Sequence, residues 1–460
     1  MKLKLKWILL LLLILAVGAL LFISIDSVMS ESGDLFYGVL RTDTMYVLLI
    51  LLVLVPILLI SLVLVMIFGK NKAETIKATI EGSVNAEGVA ASSVESDIDE
   101  VTERFCMLSA IDAKKETYGH NKYTKGITLE QFCDDFRNYA ANRLKLYYDI
   151  TDIRRFVAGM AVSHIIILQG MSGTGKTSLA HAFGSFMDNP STVIPVQPMW
   201  KERTDLIGYY NEFTKRFNET LLLEKMYEAN YSDDIYVTVL DEMNIARVEY
   251  YFAEFLSLLE LPNPDERYLD VVSDKWETDP KQLKDGRIKL PANMWFIGTA
   301  NNDDSTFAIS DKVYDRAMVL NLDNKCERFA APSTGKVYIS KDQFEALVKE
   351  AIAEYSISAR NRQRLESLDK YLIDHFHITF GNRIMKQINT YIPVFISCGG
   401  DELLALDDIL SKKVIRKLET QNPIYLRNSA DGLVAYLDEL FGADNMLLCK
   451  EHIRRLERNA

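Results

Sequence analysis

The stretch GMSGTGKTSL, Gly170–Leu179, gathers glycines, a lysine and hydroxyls into the smallest space that can hold a polyphosphate. Gly170, Gly173 and Gly175 let backbone N–H groups converge on phosphate oxygens, at the start of a helix whose dipole favours an anion. Met171, Ser172, Thr174 and Ser178 complete the binding stretch. Lys176 is expected at the β- and γ-phosphates, and Thr177 supplies a hydroxyl for magnesium. Downstream, IYVTVLDEMN ends a β-branched run in Asp241 and Glu242. Asp241 is expected to hold magnesium through water and Glu242 to polarise the attacking water; the bland alternative is ordinary surface charge. A third run, NMWFIGTANN, places Asn301 where an amide would orient that water or touch the γ-phosphate, unless it is simply an Asn in a turn.

Those residues need elements to position them. HIIILQ reads as a strand before the glycine-rich loop and SLAHAFGSFM as a helix after it. Three strands ending in polar residues predict an α/β sheet with nucleotide chemistry along one edge. From 101 to 163 the pattern is helical. TLEQFCDDFRNYAANRLKLYY puts Leu129, Phe132, Phe136, Tyr139 and Leu144 near helical spacing as core residues, with Thr128 as N-cap and Glu130 and Gln131 in the first turn. MWKERTDLIGYYNEF, from Met199, either packs a strand and loop or faces a pore and grips substrate. NPDERYLDVVSDKWETDPKQLKDGRIKLP reads as an exposed charged hairpin with a solvated face.

The net charge of −12 argues against a broadly basic nucleic-acid surface, although a local basic pore is compatible with an acidic total. Cys106, Cys133, Cys326, Cys398 and Cys449 lack paired or metal-ligand spacing and are expected as buried, reduced thiols in a cytosolic body. The histidines show no metal pattern either; His375 and His377 belong to a packed helix and the turn after it.

Two apolar runs precede all of this, Trp7 to Ile25 and Met45 to Phe68. Each is long enough to cross a bilayer, at about 20 residues per span. Lys2, Lys4 and Lys6 stand before the first and Lys70, Lys72 and Lys77 after the second, whereas the intervening loop is acidic with Arg41 alone. Positive-inside bias gives a two-pass hairpin in the cell membrane with both ends cytoplasmic. A signal peptide cleaved near Ala19 is the alternative for the first run, and the second would still anchor the body inside. Residues 69–100 then read as a flexible linker.

Taken with MWKERTDLIGYYNEF, VLDEMNIARVEYYFAEFLSLLE, FIGTANNDD, DKVYDRAM and FGNRIMKQI, the phosphate loop makes the chain resemble an AAA+ ATPase of the dynein-related, MoxR and midasin branch, most closely the GTPase subunit of the McrBC restriction system. The resemblance implies a P-loop AAA+ parallel sheet over 164–339, a C-terminal helical lid over 340–460, and a hexameric ring; in this chain they follow the two transmembrane helices that the apolar runs predict within 1–68. It assigns Lys176, Thr177, Asp241 and Glu242 to nucleotide binding and hydrolysis and Asn301 to the polar sensor. Arg316 falls at the arginine finger and Arg383 at the lid's sensor arginine; the alternative for Arg316 is a surface pair with Asp311 or Asp315. Where the McrBC GTPase carries an arginine-bearing signature this chain reads ANNDDSTFAI, so ATP with Mg2+ is the expected cofactor pair and GTP the alternative. No nuclease, protease or base-reading domain is recognisable. The expected function is remodelling or assembly of a protein client or co-encoded partner at the cytoplasmic face. DNA translocation for a separate nuclease, and a nucleotide-switched scaffold, are the competing readings.

Overall fold

Strands β1 (Ile165–Gln169), β2 (Thr192–Pro195), β5 (Tyr236–Asp241), β8 (Met294–Ala300) and β9 (Met318–Asn321) form one sheet in the order β2-β5-β8-β1-β9. Every pairing within it is parallel. A parallel sheet is covered on both faces, so its strands carry unbroken apolar runs, and all seven residues of β8 are buried. The remaining strands make two antiparallel pairs, β3 (Gly208–Asn211) with β4 (Arg216–Glu219) and β6 (Tyr268–Asp270) with β7 (Arg287–Lys289). This computed structural model describes residues 103–120, 122–301, 306–323 and 326–459. The two apolar runs, the lysines that flank them and the 69–100 linker lie outside the described residues, and no helix among the described residues is long and apolar enough to cross a membrane.

Asp99–Ala460 is one compact unit. From Lys341 onward its regular structure is helical: Lys341–Glu354, Ala359–Phe376, Gly381–Ser397, Glu402–Lys413, Pro423–Phe441 and Leu447–Asn459. The helices Leu129–Tyr139 and Ile150–Val162, before the sheet, share a single buried core with them, in which Phe136 and Phe156 meet Phe183 of the helix after the phosphate loop while Ile388, Tyr391 and Phe395 close the other side. A buried ion cluster crosses the same boundary. Asp408 pairs with Arg155 at 3.0 Å and Lys412 at 2.5 Å and accepts the Tyr391 hydroxyl at 2.6 Å. Burial pushes the Lys412 ammonium below its ordinary range and the Asp152 carboxyl above its own.

Among the described residues, side-chain N-caps start the helices at Leu129, Ile150, Leu221, Lys341, Ala359, Glu402 and Pro423. Thr128 and Gln131 form a reciprocal capping box, and Leu129, Phe132, Phe136 and Tyr139 face the core as their spacing predicts. Leu144 does not: the helix ends in a π turn over Ala140–Leu144, Lys145 turns left-handed, and Leu144 points to solvent. The expectation of buried thiols holds for Cys133, Cys398 and Cys449, but Cys326 is only half-buried and Cys106 is exposed at the start of the helix Met107–Ala113. The charged insertion is the β6–β7 hairpin, and its acids are not all solvated. Asp279 is buried against Arg104, which the exposed Asp274 also pairs with and which lies over the Trp276 ring.

Candidate nucleotide site

Strand β1 delivers the chain into the glycine-rich loop, and the loop's conformation explains its glycines. Gly170, Gly173 and Gly175 all have positive φ. At Gly170 a side chain is also excluded by space, since a Cβ there would lie 2.5 Å from the Leu322 carbonyl at the end of β9. The Tyr148 hydroxyl supports the far end of the loop by donating to the Gly175 carbonyl at 3.1 Å. The helix Lys176–Phe186 begins there, and the Thr174 hydroxyl donates back to the Met171 carbonyl at 3.0 Å. Met171, Ser172 and Gly173 are exposed at the loop's crest. Buried Lys176 returns its ammonium across the loop, to the Gly170 carbonyl at 2.9 Å and the Met171 carbonyl at 2.7 Å.

The sheet register brings the predicted acids to that loop. Gln169 pairs with Ala300, so Asn301 stands level with Gly170, and Leu240 pairs with Gly298, so Asp241 stands level with Thr299. Asp241 Oδ1 accepts two hydroxyls, from Thr177 and from Thr299, each at 2.8 Å. The same Thr299 hydroxyl accepts the Glu242 N–H at 2.8 Å. Glu242 is left-handed, with φ +53°, and exposed. That reversal sends the chain off the sheet edge and packs Met243 inward over Gly298, where a Cβ would come 1.9 Å from the Met243 sulfur. Asn244 ties the far strand in by donating to the Asn301 carbonyl at 2.9 Å.

A hydroxyl and a carboxylate side by side under a phosphate loop suit magnesium, which keeps waters and phosphate oxygens and takes one or two protein ligands. Among the described residues no cluster of three or more His, Cys, Asp or Glu would hold a metal by itself. The donor set fits an ion that arrives with a nucleotide.

Residues 165–317 match the family model of the AAA domain, dynein-related subfamily. The chain carries an AAA domain of that subfamily. The match runs from the first residue of β1 to the residue before β9, so it takes in the loop, both acids and Asn301. No curated protein matches the chain at a significant level. Solved structures that align with it include a candidate ATPase from Cytophaga hutchinsonii, 14% identical over 72% of this chain and 95% of that one with a TM-score of 0.44. Others are a full-length MCM homolog from Methanopyrus kandleri, 10% identical over 62% and 60% with a TM-score of 0.33, and NtrX from Brucella abortus, 14% identical over 72% of each chain with a TM-score of 0.26.

Lys176, Thr177, Asp241, Glu242 and Asn301 therefore converge at one edge of the AAA domain. Arg316 and Arg383 converge elsewhere, on the carboxylate of Glu260. Arg316 does not pair with Asp311 or Asp315; Asp311 is taken by Arg416 at 2.7 Å. The segment that carries Arg316 is nonetheless joined to the loop, because Gln169 at the end of β1 donates to the Tyr314 hydroxyl; from the helical region, Arg416 stacks over the Tyr314 ring at 3.9 Å. Sequence reasoning passed over Thr299, Tyr148 and Glu260. For Thr299 the signal was present, a hydroxyl on the third strand two residues before Asn301; for the other two there was none.

Proposed function

We propose that the chain is a membrane-anchored AAA+ ATPase that hydrolyses ATP, works as a hexameric ring of identical subunits, and remodels or assembles a protein partner at the cytoplasmic face. The observation that carries the hydrolytic part is Asp241 Oδ1, which accepts both the Thr177 and the Thr299 hydroxyl at 2.8 Å directly below the phosphate loop. Magnesium bound there would neutralise charge on the β- and γ-phosphate oxygens. Lys176 contacts those oxygens from inside the loop, and the backbone N–H groups of 170–177 hold the anion. The exposed Glu242 carboxylate takes up the proton side of the attacking water, and Asn301 orients it. Arg316, supplied to the next subunit, offsets charge on the γ-phosphate, an effect worth roughly a thousandfold in related phosphoryl transfers. The two apolar runs and their flanking lysines support the membrane anchor, and the net charge of −12 favours a protein over DNA as the client.

Lys176→Ala is expected to lose nucleotide binding, whereas Glu242→Gln keeps binding and turns over roughly a hundredfold more slowly. Titration with a fluorescent ATP analogue, beside phosphate release, separates the two. Equal loss of binding in both variants would overturn the assigned roles. The stalled Glu242→Gln form is also the one with which to capture the client; strong preference for GTP with DNA-stimulated hydrolysis would move the reading to a restriction-type motor, and very slow turnover with nucleotide-dependent assembly to a scaffold.

A further inference from the structure

We propose that Glu260 is the positioning residue for Arg316, and that by sharing its carboxylate with Arg383 it couples the helical region to the residue offered to the neighbouring subunit. This rests on the reading of Arg316 as the arginine that acts in trans.

Glu260 caps the C-terminal end of the helix Ala253–Leu259, shortly after the segment that carries Glu242. One carboxylate oxygen, Oε2, accepts from Arg316 Nη2 at 2.6 Å; the other, Oε1, is bound by Arg383 Nη2. Arg316 Nη1 donates to the Lys312 carbonyl at 2.7 Å, and its Nε–H is buried with no acceptor among the described residues. Two bonds at the tips of the fork therefore set the guanidinium's orientation, and only one of them, the bond to Glu260, comes from outside its own turn.

The backbone beneath Arg316 is held separately. Ser163 donates to the Arg316 carbonyl at 2.7 Å, Gln387 to the Asp315 carbonyl at 3.1 Å, and Lys413 to the Tyr314 carbonyl at 2.7 Å. Gln387 shares the helix Gly381–Ser397 with Arg383, and Lys413 ends the helix Glu402–Lys413. A shift of that helical region thus moves the backbone of Arg316 through Gln387 and Lys413, and its guanidinium through Arg383 and Glu260.

Charge decides between a positioner and a lock. Glu260 faces two guanidiniums, so the trio keeps a net positive charge and Arg316 is not neutralised. The pairs are partly exposed, and exposed ion pairs are weak. A doubly charged γ-phosphate competes with them readily through stronger charge-assisted bonds. Glu260 aims the guanidinium without withholding it.

The test uses the full-length protein in detergent and mixed rings. Glu260→Gln keeps the side chain's shape and removes the charge; its kcat is expected to fall at least about tenfold with KM little changed, since misplacing a charge-stabilising group costs that much or more. Mixed with Lys176→Ala, which supplies an intact Arg316 to an intact phosphate loop, it should regain activity; mixed with Arg316→Ala it should not. Rescue by Arg316→Ala and not by Lys176→Ala would place Glu260's effect in its own subunit's site and overturn the proposal. So would near-normal turnover of Glu260→Gln beside an inactive Arg316→Ala. If Arg316→Ala is itself near normal, the trans-acting reading fails and this proposal falls with it, a result distinct from the other two. Glu260→Asp, which keeps the charge one methylene short, serves the same comparisons if the Gln form does not fold.

Discussion

Thr299 uses one hydroxyl twice, donating to Asp241 and accepting the Glu242 N–H, so it fixes the spacing between the proposed magnesium ligand and the proposed general base. Thr299→Val keeps the branched shape in a fully buried place and removes both bonds. Turnover is expected to fall about tenfold as Glu242 loses its anchor. ATP binding should stay within about threefold, and the unpaired N–H should cost about 1–2 kcal/mol of stability. Phosphate release and thermal unfolding on one preparation check this, and unchanged turnover would show that Glu242 is held some other way. The contrast with Asp241 explains what the sequence could disclose. Lys176, Thr177, Asp241 and Glu242 sit in short runs whose local spacing implies their chemistry. Thr299 matters through strand register, and Glu260 through two partners remote in the chain. Neighbours in sequence were the wrong guide for Arg316, whose acid is Glu260 and not Asp311 or Asp315.

At the scale of elements, periodicity and caps located the helix Leu129–Tyr139 to its first residue, because the capping box is a local device. Its C-terminal end was not readable, since a π turn leaves no signature in hydrophobic spacing. Nor was the attachment of the helical region. Asp407-Asp408 and Lys412-Lys413 look like a solvated stripe, yet all four are buried, and Asp408 faces Arg155 and Lys412 at the seam between the helices Ile150–Val162 and Glu402–Lys413. Removing the acid leaves the buried Lys412 without its carboxylate in a low dielectric and Arg155 with Asp152 alone. Asp408→Asn should therefore destabilise the protein by about 3 kcal/mol or more. The measurement is the urea midpoint with the slope unchanged. A midpoint like that of the parent would mean that packing alone fixes the helical region. In the MWKERTDLIGYYNEF segment Leu206 is buried and Trp200 packs on Tyr251, as the packing reading expects, while Tyr209 is exposed on β3 and Phe213 at the hairpin's tip.

For the whole molecule, the proposed membrane anchor raises the question of which side of a bilayer the AAA domain would occupy. The residues that decide it, the lysines around the two apolar runs, lie outside the described residues and speak through sequence alone. Positive charge beside a span holds that flank in the cytoplasm, and acids contribute little, so lysines at both outer flanks predict a hairpin with both ends inside. A cleaved first run would leave the second span and Lys70, Lys72 and Lys77 to hold the body in the same place. Cysteine labelling of intact cells with an impermeant maleimide tests this. The parent should carry Cys106→Ser and Cys326→Ser, because neither thiol is fully buried and either would confuse the result in leaky cells. Ser32→Cys in the loop should label from outside, and Ser92→Cys in the linker should label only after lysis. The reverse pattern would put the AAA domain outside the cell, away from cytoplasmic ATP, and would refute the anchored-motor reading even with every residue of the nucleotide site in place.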